Sequence, residues 1–407
     1  MIKWLLLGWI SFSHAQETNN DPIDLSDTVS GRNVKVLDIE DRTIKAPIYE
    51  DEKKGKYPER IYDGARWLAM SADFVWSCWQ VMNGLYERDY KQLHGILNTV
   101  RVKYPDSGVA PVGRALMWQV LMLENFDFKY QKQYKTSFGI ARQQLEQAML
   151  VPGNDAWETF LMGAILGVDA IHELRKEDFL AAINQGYEAV KFIERAKGKA
   201  PLFVDSQLGD GLWLYWRSLI ASNVPGIPTF SDERKKGIEM MQKAEKESVF
   251  LRPAASHALT YTWIEERKMK LALETARMLR NAYPNNVINL QVLGRVEMYN
   301  KKYKDSEYTF QKVLTISPKN ERAHFYLARL YLRMKKYKEA EKEINIYLKF
   351  DTNDYQKSYA HYYHGHILMR QRRYTEAAAA YDSAWKINKI KGSKERAEKA
   401  REKSKAR

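Results

Sequence analysis

Three histidines within six residues, His361, His364 and His366, are the densest set of potential metal ligands in the chain. On a helix, positions 361 and 364 lie on adjacent turns of one face while 366 points well away, and no neighbouring Asp, Glu or Cys completes a tetrahedral set. The three are expected to pack rather than to hold a metal. The sequence contains no HExxH, Walker-type Gly-rich loop, Gly-x-Ser-x-Gly elbow or CxxC, and Gly209-Asp210-Gly211 reads as a helix start rather than a phosphate cradle. Carboxylate pairs such as Glu265-Glu266 stand among Arg and Lys, where solvated ion pairing outweighs acid–base use. The chain therefore reads as a non-enzyme with no catalytic residues, metal or cofactor. Catalytic groups gathered from distant segments leave no local motif, so the alternative is an enzyme or metal-dependent factor with its site in the N-terminal half, near Trp213-Leu214-Tyr215-Trp216. Packing is the competing use of those aromatics.

The elements that would carry any such group are helical. Gly and Pro are sparse, at 21 and 12 of 407 residues, apolar residues recur at three- and four-residue spacing from Tyr57 onward, and no stretch sustains a period of two. This predicts an all-α chain. Breaks at Pro105 to Pro111, Pro152-Gly153-Asn154, Gly198 to Pro201, Pro225 to Pro228 and Pro253 divide it into helix pairs near 63–86 with 89–103, 111–125 with 136–150, 155–174 with 177–196 and 203–222 with 231–248.

From Pro253 the pairs repeat. Sliding the sequence by the 34 residues that separate Pro284 from Pro318 superimposes Leu259, Leu293 and Leu327, then Gly294 on Ala328, then Met269, Tyr303 and Tyr337, then Ala276, Phe310 and Ile344. A further copy follows after a three-residue slip, with Gly365, Tyr374, Ala377, Tyr381 and Ala384 in the corresponding places. Small residues where two helices cross, large ones between them and Pro after the second helix resemble the tetratricopeptide repeat (TPR), of the exported bacterial type. The resemblance implies an α-solenoid, a right-handed superhelix of antiparallel helix pairs, with four repeats over 253–391 and degenerate hairpins over 57–250.

It also implies a non-enzymatic protein–protein interaction scaffold whose partner lies against the first helix of each repeat. In register, that groove receives His257, Tyr261, Gln291, Arg295, Met298, Arg322, Phe325, Arg329, Arg333, Tyr362, His366 and Met369. Guanidinium groups that pair bidentately with carboxylates, alternating with flat aromatic platforms, suit an acidic, aromatic-containing peptide. Ordinary packing or solvated residues would give the same pattern. Chaperone-binding members of the family use a Lys and Asn clamp for a C-terminal carboxylate, whereas Arg295 and Arg329 stand where the Asn is expected, so that activity is not implied.

The two ends bear on where the protein works. Met1-Ile2-Lys3, an apolar run from Trp4 to Phe12 and Ser13-His14-Ala15 have the order of a secretory signal cut after Ala15, followed by a polar linker or extended arm over 16–56 in which Val34 to Ile39 suits a short strand. Cys78 is the only cysteine and reads as a small core residue. An exported chain without disulfides suits a bacterial periplasm, or more broadly a secreted location. The tail 392–407 is polybasic: from Lys386 onward ten Lys and Arg face three Glu, half of the net charge of +14. With the basic turns Arg267-Lys268, Lys301-Lys302, Lys335-Lys336 and Arg372-Arg373, the tail would draw an anionic membrane surface or envelope polymer, or be simply solvated. Export argues against nucleic acid. If residues 1–15 are not a signal, a basic membrane-surface or nucleic-acid binder is the competing reading.

Overall fold

The structure, a computed structural model, describes residues 55–150, 155–176, 178–221 and 231–406; the signal at 1–15, nearly all of the arm at 16–56 and the segment Val34 to Ile39 lie outside them. Among the described residues there are eighteen α-helices and no strand. The N-terminal half runs α1 (Glu59–Leu68), α2 (Ala72–Glu87), α3 (Tyr90–Lys103), α4 (Val109–Asn125), α5 (Gln131–Ala148), α6 (Ala156–Arg175), α7 (Phe179–Lys199), α8 (Ser206–Ala221) and α9 (Arg234–Glu247). The repeats follow as α10 (Arg252–Glu265) with α11 (Met269–Ala282), α12 (Val287–Tyr299) with α13 (Tyr303–Ile316), α14 (Glu321–Arg333) with α15 (Tyr337–Tyr347) and α16 (Asp354–Arg370) with α17 (Tyr374–Asn388), closed by α18 (Ser393–Lys405). Each helix packs on its sequence neighbours, as in an α-solenoid.

The 34-residue pattern has a direct steric cause. A Cβ added to Gly294 would lie 2.8 Å from the Phe310 ring, and one added to Gly365 would lie 2.7 Å from the Tyr381 ring. The glycine therefore makes room for the large residue of the second helix, while Ser306 fastens the same crossing through its hydroxyl to the Gly294 carbonyl at 2.7 Å. Pro284 and Pro318 follow the C-cap residues Tyr283 and Ser317, where a missing N–H is harmless. Within each repeat the two helices are joined by one left-handed residue, and all four are cations: Arg267, Lys301, Lys335 and Arg372, at φ 57° to 64°. A positive charge there meets the negative end of the first helix.

The N-terminal half relies on buried polar groups instead. Asp205, fully buried, accepts the backbone N–H groups of Val249, Phe250 and Leu251 at 2.8, 2.8 and 2.9 Å, satisfying donors just before α10. Asp169 accepts from the Tyr134 hydroxyl and the Lys135 ammonium, both at 2.9 Å. Helices α8 and α9 touch backbone to backbone, a Cβ on Gly237 meeting the Gly211 carbonyl at 2.6 Å.

Two sequence expectations change. The helix expected over 63–86 breaks at Ala69, at φ 53°, and restarts behind Ser71, whose hydroxyl caps α2 by accepting from the Phe74 N–H. The end of the chain, expected as a polybasic tail, is a docked helix: Ala397 and Ala400 are fully buried against Leu368, Ala377 and Tyr381, and Arg396 donates to the Tyr362 hydroxyl at 3.0 Å. Alanine is small enough that its narrow stripe does not show in the charge-rich sequence. Cys78 is buried, as expected.

Candidate partner-binding site

The first helices of the last three repeats begin with asparagine caps. Asn286, Asn320 and Asn353 accept from the N–H groups of Asn289, Ala323 and Gln356 at 3.0, 3.1 and 2.9 Å. In Asn286 and Asn320 the remaining amide is not idle. It donates across the molecule to orphan carbonyls at the ends of α2 and α4: Asn286 to Tyr86 at 2.9 Å and Asn320 to Glu124 at 2.7 Å. One turn earlier in each repeat, Tyr283 donates to Asn83 at 3.1 Å and Ser317 to Asn125 at 2.9 Å. The same two register positions, 34 residues apart, thus stitch successive repeats to successive N-terminal hairpins.

Gln291, expected to face a groove, joins this seam and donates to the Glu124 carbonyl at 2.8 Å. Beside it Phe126, the left-handed C-cap of α4 at φ 60°, lies flat under the Arg322 guanidinium, 3.0 Å from ring centre to Cζ. Arg175 stands nearby, 5.7 Å from the Phe126 ring and 4.6 Å from Phe128, donating to the carbonyls of Met122 and Asp127. Burial pulls the guanidinium pKa values of Arg322 and Arg175 down to about 10, which leaves both charged at neutral pH. Burial also raises the nearby Asp127 carboxyl and lifts Glu321 to about 8.

One turn further along the first helices, Arg295 and Arg329 flank the Tyr326 ring, each 5.3 Å from its centre, and Arg329 also lies 4.8 Å from Tyr363. Both are short of acceptors. Arg295, only 8% exposed, keeps Nε and Nη1 without a hydrogen-bond partner, and Arg329 keeps Nε so. Burial would raise the Tyr299 phenol, yet Arg329, Arg295 and Arg333 hold it below the usual tyrosine value.

Of the twelve residues expected in an open groove, Gln291, Met298, Tyr261, Arg295 and Arg322 are buried, His257, Phe325, Arg329, Tyr362, His366 and Met369 are half-buried, and Arg333 alone is exposed. The end of α4 covers the part at Gln291 and Arg322, whereas Arg295 and Arg329 lie against tyrosines of the repeats themselves. His257 pairs with Asn289 at 3.0 Å and His366 with the Tyr381 hydroxyl at 3.1 Å; burial lowers both imidazoles to about 4. His364 lies 4.0 Å from Glu341, and no group of three His, Cys, Asp or Glu among the described residues is arranged to hold a metal. In the Trp213 to Trp216 segment Tyr215 is fully buried and donates to Glu266 at 3.0 Å. The seam and Phe126 were missed by sequence reasoning. The signal that was present is a cap asparagine, with an amide to spare, at one register position in two repeats.

A tetratricopeptide-repeat family model matches residues 297–361, which hold α13, α14 and α15. Residues 297–361 are tetratricopeptide repeats. No curated protein matches the chain. Among solved structures the chain is similar to the Cut9–Hcn1 hetero-tetramer of APC/C, at 13% identity and a TM-score of 0.49 over 84% of this chain and 66% of that one, just under two thirds. It is also similar to the tetratricopeptide-repeat domain of P58(IPK), at 14% identity and a TM-score of 0.27 over 85% of this chain and 92% of that one. The repeat assignment rests on the 34-residue geometry and the family match, not on these likenesses.

Proposed function

We propose that the protein is a non-enzymatic scaffold that holds an acidic, aromatic-bearing segment of a partner protein along the first-helix face, over Arg295, Tyr326 and Arg329. The repeats themselves make it a scaffold for protein–protein contacts. The observation that carries the finer reading is the occupant already on that face: at the end of α4, Phe126 supplies an aromatic ring to Arg322 and Glu124 supplies its carbonyl to both Gln291 and Asn320. The adjoining guanidinium nitrogens of Arg295 and Arg329 still lack acceptors. A carboxylate is the group that would meet them, since charge-assisted pairing recovers what burial costs.

A panel of twelve-residue peptides graded in acid and aromatic content tests this. The tightest binders should pair Asp or Glu with Phe or Tyr, and Arg295→Gln with Arg329→Gln should weaken them at least about tenfold. Preference for basic peptides, or binding indifferent to the two substitutions, overturns the reading.

Export to the periplasm or outside the cell belongs to the same proposal and is supported by the charge, apolar run and small residues of 1–15. The mature chain should begin at Gln16; retention of Met1 on the correctly localised protein would contradict it. Contact with an anionic membrane or envelope polymer is supported by the exposed left-handed cations Arg267, Lys301, Lys335 and Arg372.

A further inference from the structure

The seam between the halves leaves a cleft of about 230 Å³ where α2 faces α10 and α11. Its frame is fixed by the bonds from Tyr283 to Asn83 and from Asn286 to the Tyr86 carbonyl, and by the Tyr86 and Tyr283 rings, 5.3 Å apart. The walls are apolar: Trp79, Met82 and Phe250 inside, with Met278 at the rim and 60% exposed. Trp79 is held flat by a stack through Trp76 to Tyr57, with centroid distances of 4.8 and 5.4 Å.

Two cations line the same cleft. The Arg60 guanidinium lies 5.4 Å from the Trp79 ring and its buried Nε has no hydrogen-bond partner. Arg252 donates through Nε to the Glu245 carbonyl oxygen, and neither arginine pairs with a carboxylate among the described residues. The one acid in the lining, Glu245, accepts from the Ser256 hydroxyl at 2.8 Å. Burial, and then the charge of Arg252, lower the Arg60 pKa, as expected of two cations brought together without a counter-ion.

We infer that this cleft is a binding site for a small amphipathic anion, a single ring or short aliphatic body bearing one carboxylate. The body lies against Trp79, Met82 and Met278, and the carboxylate meets Arg60 and Arg252. The size agrees: a cavity of about 150 Å³ admits benzene, so this one admits a ring with a short acidic arm. Methionine at the mouth adapts to such a body, and a site at an internal seam is where small ligands commonly lodge. Because both halves line it, an occupant would also fasten α2 to α10 and α11. The inference is independent of the first-helix face, which carries different arginines.

A fluorine-NMR titration with 4-fluorophenylacetate and its neutral amide tests it on the full chain. The acid should bind saturably with a Kd below about 1 mM and the amide at least about tenfold more weakly. Arg60→Gln with Arg252→Gln should weaken the acid by a similar factor. Met278→Glu, at an exposed site where folding is not at issue, should do the same by placing a negative charge at the mouth. Arg295→Gln with Arg329→Gln should leave acid binding unchanged, which separates this site from the peptide face. No saturable binding, equal binding of the amide, or indifference to both cleft variants overturns the inference.

Discussion

The repeats from Arg252 to Asn388 and the hairpins from Glu59 to Glu247 are built from the same antiparallel helix pairs, yet different interactions hold them. In the repeats, a small residue faces a large one at each crossing, as Gly294 faces Phe310 and Gly365 faces Tyr381. In the N-terminal half the crossings are irregular, and buried acids gather the hydrogen bonds, Asp205 from three N–H groups before α10 and Asp169 from Tyr134 in the preceding helix. Steric matching can be copied every 34 residues. A buried polar network is singular, since each member needs its own partners.

The comparison predicts different kinds of damage. Asp205→Ala should cost the most, about 3–5 kcal/mol in urea unfolding, because three buried N–H groups lose their acceptor at roughly 1–3 kcal/mol each with partial relaxation. Asp205→Asn, which keeps an acceptor oxygen, should restore part of it, and full stability in the alanine variant would show that the network is dispensable. Gly294→Val should cost about 1–3 kcal/mol by overpacking against Phe310, and Phe310→Leu in the same chain should recover some of that. Failure of that rescue would remove the steric account of the repeats.

Acid should affect both halves. Burial lowers His172 in α6 to about 3 and His257 in α10 to about 4, whereas an unfolded histidine titrates near 6.5. As pH falls below about 6.5 the unfolded chain takes up protons that the native chain refuses, so stability present at neutral pH is lost toward pH 4. At pH 5 each histidine should account for roughly 1–2 kcal/mol. His172→Gln and His257→Gln should each flatten the profile measured by denaturant unfolding across that range, and unchanged profiles would mean the imidazoles are not held neutral. The smallest effect is spectroscopic: Arg329→Gln should raise the Tyr299 phenol titration, read as the ultraviolet difference between that variant with and without Tyr299→Phe.

The repeat half was legible because local spacing carries its cause. Leu259, Leu293 and Leu327 are all buried, and the turns fall at the predicted basic residues. The break before α2 was also written locally, in Ser71 three residues ahead of Phe74. The covered state of Gln291 and Arg322 was not, because its cause lies about 170 to 200 residues away at the end of α4, and no periodicity links Asn286 to Tyr86 or Asn320 to Glu124. The residue types at the face were readable; what covers them required the chain to be closed on itself.

The central claim is that Asn125–Phe126–Asp127 occupies part of a face built for a partner segment. Isothermal titration of a peptide carrying residues 121–130 into the wild type, into Phe126→Ala and into Phe126→Ala with Arg322→Gln tests it most directly. The Phe126→Ala chain should bind at least about tenfold more tightly than wild type, because the intramolecular ring no longer competes, and Arg322→Gln should remove that gain. Equal affinity in all three chains would contradict the claim and leave the loop as a structural clasp only.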